Sequence, residues 1–216
     1  MTALFDSWQR QINYLRISVT DHCNLNCVYC SVGSVPHLPR SEVLTYEEIQ
    51  RLVQGAAEMG INKVRLTGGE PLLQSDFLQP LLKDLRKRRF RTYLETNGTL
   101  PEALKLVIDA VDVIAMDIKL PSSGQTAAYW DKHAAFLHLG KKKEVMIKVV
   151  LTGTTEKSDL EKAIRLVRGE DASIPFILQP VTPGEEVEAI DKKKLREFFE
   201  LAQRKLKRVL VIPQLH

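Results

Sequence analysis

The residues best suited to chemistry lie in one short segment that contains every cysteine of the chain: Cys23, Cys27 and Cys30. An odd number of thiols does not form a closed disulfide framework. Three thiols are also one ligand fewer than a structural zinc site normally takes from the protein. Thiolate ligation with one open position is typical of an iron–sulfur cluster that keeps one iron free for chemistry. The segment therefore predicts an open iron–sulfur site.

Further polar and flexible residues recur where predicted strands end. They lie in the segments Gly68-Gly-Glu-Pro71, Glu95-Thr-Asn-Gly98, Asp117-Ile-Lys119 and Gln179-Pro180. Turn chemistry alone explains glycine, asparagine or aspartate at any one strand end. It poorly explains carboxylates, a lysine and three thiols at the same rim. Because the C-terminal ends of the strands carry the active site of a parallel barrel, we predict an active site there.

The elements that must position these residues alternate between strands and helices. Predicted strands cover residues 12–20, 63–67, 91–96, 111–117, 144–151 and 174–179, and a short final strand covers 209–212. A capping-box pattern at Thr45 and Glu48 begins the first helix, which Gly60 ends. Later helices are predicted at about residues 75–88, from Pro101, after Lys119, at 158–167 and at 192–206.

This alternation indicates a parallel sheet built from βα units. A complete eight-unit barrel takes about 250 residues, whereas this chain has 216 residues and about six units. We therefore predict an α/β fold, a partial (β/α)6 parallel barrel, that forms a single domain over residues 1–216 with no accessory domain.

The composition is that of an ordinary globular protein, with 44% hydrophobic and 27% charged residues, and it excludes disordered and fibrous classes. No apolar run approaches the roughly 20 residues that cross a bilayer, and the start lacks the features of a signal peptide. We therefore expect a cytoplasmic, reducing location and no membrane partner. The net charge of +4 comes from lysines and arginines near predicted helix ends, so no nucleic-acid partner is predicted.

Together, the Cys-x3-Cys-x2-Cys segment and the later Gly-Gly-Glu-Pro segment resemble the radical S-adenosylmethionine (SAM) superfamily, and the resemblance covers nearly the whole chain. It implies a [4Fe-4S] cluster on Cys23, Cys27 and Cys30, with SAM bound to the remaining iron. It also implies reductive cleavage of SAM to a 5′-deoxyadenosyl radical that abstracts a substrate hydrogen. The protein would orient and shield the cofactor, and no catalytic residue beyond the cluster is assigned.

The same resemblance implies a set of SAM-binding residues at the strand ends. They are Tyr29, Gly68, Gly69, Glu70, Asn97, Asp117 and Lys119. Tyr29 would lie near the adenine, and the two glycines would let the backbone approach the SAM ammonium. Asp117 suits the ribose hydroxyls and Lys119 suits a carboxylate. For Glu70, an ordering role in its loop is favoured over a direct contact.

Two families of the superfamily are similar to different parts of the chain. The segment from Tyr14 to Cys30, YLRISVTDHCNLNCVYC, is similar to the GTP 3′,8-cyclases of molybdenum-cofactor synthesis. That family carries a second cysteine-bound cluster in a C-terminal extension, whereas this chain has no cysteine after Cys30. The segments ETNGT, DIKLPSSG, FILQPV and IPQLH are similar to the 7-carboxy-7-deazaguanine synthases, which are therefore favoured.

Similarity to the deazaguanine synthases implies a reaction and its contacts. The substrate would be 6-carboxy-5,6,7,8-tetrahydropterin, contracted with loss of ammonia in queuosine or deazapurine synthesis. Arg16 would bind its carboxylate, Glu95 would bind the guanidine-like edge of the ring, and Gln179 is a third candidate. Ser31 stands where that family has a threonine serving Mg2+, so Ser31 is a candidate magnesium ligand. The family's Gln-Gly-Glu-Gly-like segment has no counterpart in residues 1–11.

Other partners and classes stay open. The resemblance implies a reductant protein such as flavodoxin or ferredoxin, and it is compatible with a homodimer. A radical SAM enzyme for another small heterocycle shares these motifs, as does a glycyl-radical activating enzyme with a protein substrate. A non-catalytic iron–sulfur or zinc protein is the remaining alternative.

Overall fold

The computed structural model describes residues 4–30, 37–184 and 186–214. Ser31, the candidate magnesium ligand, lies outside the described residues. The Mg2+ expectation therefore stays a prediction.

Strands and helices alternate along the described chain. The strands are β1 (Leu4–Phe5), β2 (Gln11–Ile12), β3 (Tyr14–Ser18), β4 (Lys63–Thr67), β5 (Arg91–Thr96), β6 (Val113–Asp117), β7 (Glu144–Leu151), β8 (Phe176–Pro180) and β9 (Val209–Val211). The α-helices are α1 (Tyr46–Glu58), α2 (Ser75–Lys87), α3 (Pro101–Val107), α4 (Pro121–Gly124), α5 (Trp130–Gly140), α6 (Lys157–Glu170) and α7 (Lys192–Gln203).

The main sheet runs in chain order from β3 to β9, and all of its neighbouring strands are parallel. Each of the strands β3 to β8 is followed by at least one helix, and β9 adds a seventh strand. Within the described residues, β3 and β9 have no partner on their outer sides, so the sheet is open. This arrangement confirms the predicted partial (β/α)6 barrel.

Several predicted boundaries agree with the structure. The bounds of β4, β5 and β7 are those predicted, and α1 begins with the predicted capping box, in which Thr45 and Glu48 exchange side-chain and backbone hydrogen bonds. The first parallel strand is shorter than predicted because Gln11–Ile12 pairs with Leu4–Phe5 in an antiparallel hairpin. The final helix ends at Gln203, before the predicted residue 206.

The two faces of the sheet differ because side chains alternate along each strand. On the helix-covered face, residues such as Leu66, Leu94 and Ile114 are fully buried and join one hydrophobic cluster with the apolar sides of the helices. The opposite face, called the polar face below, carries Arg16, Arg65, Thr67, Glu95, Asp117, Lys148 and Gln179. None of the described helices has the length and hydropathy to cross a membrane.

Candidate active site at the C-terminal end of the sheet

The thiol segment follows β3 at the C-terminal end of the sheet. All three cysteines are free; Cys27 is buried, Cys23 is half-buried and Cys30 is exposed. The amide of Cys30 donates a hydrogen bond to the carbonyl of Cys27 at 2.9 Å, which forms a turn between them. Three free thiols on one short segment, at the face expected to hold the site, fit the donor set of an open iron–sulfur cluster.

The loop after β4 fastens the start of this segment. The amides of Gly69 and Glu70 donate to the carbonyls of Thr20 and His22, each at 2.8 Å. A Cβ atom on Gly68 would lie 2.1 Å from the Thr20 carbonyl oxygen, and one on Gly69 would lie 2.1 Å from that of His22. The glycines therefore permit close contact between two protein backbones. Their predicted approach to SAM stays a prediction.

Glu70 is fully buried and both of its carboxylate oxygens accept hydrogen bonds from the protein. One oxygen accepts from the Leu72 amide at 3.1 Å and the Thr96 hydroxyl at 2.8 Å, and the other accepts from the Asn97 amide at 2.6 Å. Burial raises the pKa of Glu70, although these hydrogen bonds act in the opposite direction. These contacts join the loops after β4 and β5, in keeping with the ordering role expected of Glu70. A contact of Glu70 with SAM stays a prediction.

Asn97 connects the thiol segment to the loop after β5. The side-chain nitrogen of Asn97 lies 3.8 Å from the Sγ of Cys23 and donates a hydrogen bond to the side-chain oxygen of Asn24 at 2.9 Å. The side-chain oxygen of Asn97 accepts a hydrogen bond from the hydroxyl of Thr99 at 2.6 Å. The Nε2 of His133 lies 3.1 Å from the backbone carbonyl oxygen of Asn97. Burial lowers the pKa of His133 to about 4, so this ring is neutral at physiological pH.

The protein around the two less exposed thiols disfavours their ionised forms. Burial raises the pKa of Cys23 and of Cys27, while the nearby charge of Lys119 acts in the opposite direction. Metal coordination reverses this preference because a coordinating thiol is deprotonated. Cys23 and Cys27 are therefore poor nucleophiles in the absence of a metal.

Asp117 and Lys119 meet beside Tyr29, as the prediction of a common SAM site requires. The Nζ of Lys119 lies 2.9 Å from one oxygen of Asp117 and 5.3 Å from the centroid of the Tyr29 ring. Lys148 reaches the same Asp117 oxygen at 3.1 Å. Burial opposes ionisation of Asp117, but the two lysines outweigh it and lower its pKa. The other Asp117 oxygen is buried and has no partner in the described residues, so it is free to accept a ligand hydroxyl.

Arg16 and Glu95, the predicted substrate residues, form an ion pair with each other on the polar face at 2.8 Å. Glu95 also pairs with Arg65 at 3.0 Å and accepts from the hydroxyl of Thr67 at 2.7 Å. Burial opposes the ionisation of Glu95, but Thr67 and the two arginines lower its pKa overall. Gln179 also lies on the polar face, on β8 beside Val150 of β7 and three strands along the sheet from Glu95, and within the described residues no hydrogen bond joins it to this group. Its role in substrate binding stays a prediction.

Sequence reasoning missed several residues of the site. Arg65 and Lys148 could have been found, because each is a charged residue between two apolar neighbours of a strand whose end carries candidate site residues. Asn24, Thr99 and His133 gave no local signal, since their roles depend on contacts between loops that are distant in sequence.

Comparisons with known proteins agree with this geometry. Residues 17–167 match the Radical SAM superfamily. The chain is 36% identical over 212 residues to 7-carboxy-7-deazaguanine synthase of Geobacter sulfurreducens, covering 90% of this chain and 84% of that protein. It is 32% identical over 189 residues to GTP 3′,8-cyclase of Marinobacter nauticus, covering 82% of this chain and 56% of the cyclase. The chain thus spans little more than half of the cyclase's length.

Solved structures share the fold. A radical SAM methyltransferase from Sphaerobacter thermophilus superposes with a TM-score of 0.72 at 16% identity, covering 99% of this chain and 69% of that chain. Streptococcus suis SuiB bound to S-adenosylmethionine superposes with a TM-score of 0.70 at 17% identity, covering 93% of this chain and 50% of SuiB.

The main sheet is an open parallel barrel, and its first strand leads directly into a segment with three thiols. This arrangement fits enzymes that bind a metal cluster at the C-terminal end of the strands. The chain belongs to the radical SAM superfamily, and this membership implies a [4Fe-4S] cluster and SAM.

Proposed function

We propose that the protein is a radical SAM enzyme that converts 6-carboxy-5,6,7,8-tetrahydropterin to 7-carboxy-7-deazaguanine. The observation that carries the proposal is the 36% identity to the Geobacter synthase, which extends over 90% of this chain and 84% of that protein. An aligned span of 90% of this 216-residue chain necessarily contains Cys23 to Cys30, Asp117 and Lys119.

In this proposal Cys23, Cys27 and Cys30 hold the cluster, which supplies the electron that cleaves SAM. Asn97 donates toward the Sγ of Cys23, and hydrogen bonds to negatively charged sulfur tune such clusters. The unpartnered oxygen of Asp117 would accept a hydrogen bond from a ribose hydroxyl of SAM. Lys119 carries the positive charge that attracts the carboxylate of SAM, and Tyr29 flanks it.

The substrate binds by replacing the Arg16–Glu95 ion pair: its carboxylate pairs with Arg16, and its ring N–H groups pair with Glu95. Arg16 is the more accessible side chain, with 57% exposure, so it is free to turn toward a substrate carboxylate. Glu95 is ionised and offers two oxygens to adjacent N–H donors of a pterin ring. Arg65 keeps Glu95 in place during this exchange, because it contacts the carboxylate oxygen that Arg16 does not.

The test is an anaerobic assay of reconstituted protein with dithionite, SAM and the carboxy-tetrahydropterin. We expect 5′-deoxyadenosine and the deazaguanine acid by mass spectrometry, and neither product from Cys27→Ala, which loses a cluster ligand. Formation of the deazaguanine acid by Cys27→Ala would contradict the ligand assignment. Absence of 5′-deoxyadenosine from a protein with a full cluster would contradict SAM cleavage.

A second candidate is cyclisation of GTP, favoured by the 32% identity to the Marinobacter cyclase. Replacing the pterin with GTP in the same assay separates the two candidates, because each product has its own mass. Production of 5′-deoxyadenosine with neither heterocyclic product would refute both substrates and direct the search to another heterocycle or to a protein substrate.

A further inference from the structure

A second group of metal-binding side chains lies next to the thiol segment. Asp21 and His22 directly precede Cys23, and His37 lies at the start of the next described range. One potential ligand atom from each of Asp21, His22 and His37 lies within 4.8 Å of the other two. The histidine side chains are 59% and 52% exposed and Asp21 is 24% exposed, so a metal ion can reach the group from solvent.

The spacing of the three side chains suits one shared ion. The Nδ1 of His37 lies 3.3 Å from one oxygen of Asp21, and the Nε2 of His22 lies 3.8 Å from the other. The second distance is too long for a hydrogen bond. Two ligands that are each about 2.1 Å from a tetrahedral zinc ion lie about 3.4 Å apart, so both distances to Asp21 are close to the separation that a shared ion requires.

The backbone holds this group in place. The Leu38 amide donates to the Asp21 carboxylate at 2.7 Å, which keeps His37 beside Asp21. The His22 carbonyl accepts from the amide of Glu70, so the other side of the group is fixed by the loop after β4. The imidazole rings stack with centroids 4.0 Å apart, and the side chains therefore converge before any ion binds.

We propose that Asp21, His22 and His37 bind one divalent transition-metal ion, for which we take Zn2+ as the probe. Imidazole nitrogens and one carboxylate suit zinc and its neighbours better than Mg2+ or Ca2+, which prefer oxygen ligands. The site is separate from the three thiols. Its ion joins residues 22 and 37, which lie on either side of Cys23, Cys27 and Cys30 in the sequence.

The first experiment is zinc titration of tag-free protein that already carries its full iron–sulfur cluster. Under anaerobic conditions and against a competing chelator, we expect one zinc per chain in addition to the cluster iron. His22→Ala and His37→Ala should each weaken zinc binding by about tenfold or more, because each removes one of three ligands. The matched control is His138→Ala, which removes an exposed histidine that pairs with Glu170 on the helical side. Equal zinc affinity in His37→Ala and the unchanged protein would overturn the proposal.

A second experiment removes the thiols as competing ligands. The chain has three cysteines, so the Cys23→Ser, Cys27→Ser, Cys30→Ser triple variant has no thiol. Zinc should still bind one per chain and raise the melting temperature of this variant, and Co2+ should bind without the absorption of thiolate charge transfer. Adding His37→Ala should abolish the shift. Zinc binding that disappears with the thiols alone would assign the metal to the cysteines and overturn the proposal.

Discussion

At the scale of single residues, two carboxylates of the site, Glu95 and Glu70, have opposite environments. Glu95 faces two arginines and a hydroxyl, and its pKa is lowered. Glu70 faces three neutral donors without a countercharge in contact, and burial raises its pKa. Glu95 is therefore a charged group that a ligand can contact. The ionised form of Glu70 is disfavoured by burial, and its hydrogen bonds join two loops.

Glu95→Gln tests the charge on the polar face through the pH dependence of stability. Because the folded-state pKa of Glu95 lies below the ordinary 4.5, its ionised form stabilises the fold above pH 4.5. That contribution is lost as the pH falls from 4.5 through the folded-state pKa. Urea unfolding should show a loss of about 1 kcal/mol at pH 7 in Glu95→Gln, since Arg16 is well solvated, and a shallower decline toward acid.

Glu102→Gln is the control for that measurement, because Glu102 pairs with Lys105 but is 80% exposed. Its stability should follow that of the unchanged protein within about 0.5 kcal/mol at each pH. If the free energies of unfolding of Glu95→Gln and Glu102→Gln fell identically as the pH is lowered, the charge of Glu95 between Arg16 and Arg65 would not contribute to stability.

Glu70→Gln tests the hydrogen bonds that join the loops after β4 and β5. A glutamine at this position turns one acceptor oxygen into a donor that faces a backbone N–H in either orientation, that of Leu72 or that of Asn97. Because the site is fully buried, the mismatched donors lack water as a replacement partner, and we expect a loss of about 1–3 kcal/mol in urea unfolding. Unchanged stability would show that Glu70 is replaceable and that these loops are held by other contacts.

At the scale of elements, the thiol segment is held by the loops of neighbouring strands. The loop after β4 contacts it through Gly68 and Gly69, the loop after β5 through Asn97, and α4 through the carbonyl of Gly124, which accepts from the Val28 amide at 3.1 Å. Loops that are far apart in sequence meet here because parallel strands bring their C-terminal ends to one edge. The position of the thiols is thus a property of several βα units acting together.

Gly69→Ala is the sharpest test of this arrangement. The new Cβ would lie 2.1 Å from the His22 carbonyl oxygen, so the loop after β4 and the thiol segment must separate. We expect a loss of about 2–4 kcal/mol in urea unfolding and a lower iron content after reconstitution. Gly55→Ala is the matched control, because Gly55 lies inside α1 with no atom within 4 Å of its added Cβ. That variant should be more stable by up to about 1 kcal/mol. Equal iron content in Gly69→Ala and Gly55→Ala would refute the proposed contact.

At the scale of the whole molecule, local pattern predicted the fold and one edge of the site, but not the pairings within it. The strand 63–67 was predictable because its apolar residues alternate, and the helix at Thr45 because both capping partners are near in sequence. The Arg16–Glu95 pair joins β3 to β5 across β4, so it depends on strand register that no local pattern contains. The burial of Glu70 was not predictable for the same reason.

The separation of core and site predicts how the molecule responds when its metal is removed. The main hydrophobic cluster lies between the sheet and the helices, and it is built from aliphatic and aromatic side chains without any of the three cysteines. The fold therefore draws its stability from burial of apolar surface, unlike small zinc domains that fold only with metal. We expect chelator-treated protein and Cys27→Ala to keep the far-UV circular dichroism of the reconstituted enzyme and to unfold cooperatively in urea, with the cluster absorbance lost. Non-cooperative unfolding of both cluster-free forms would show that the cluster is part of the core, and would contradict the separation of fold and site seen in the structure.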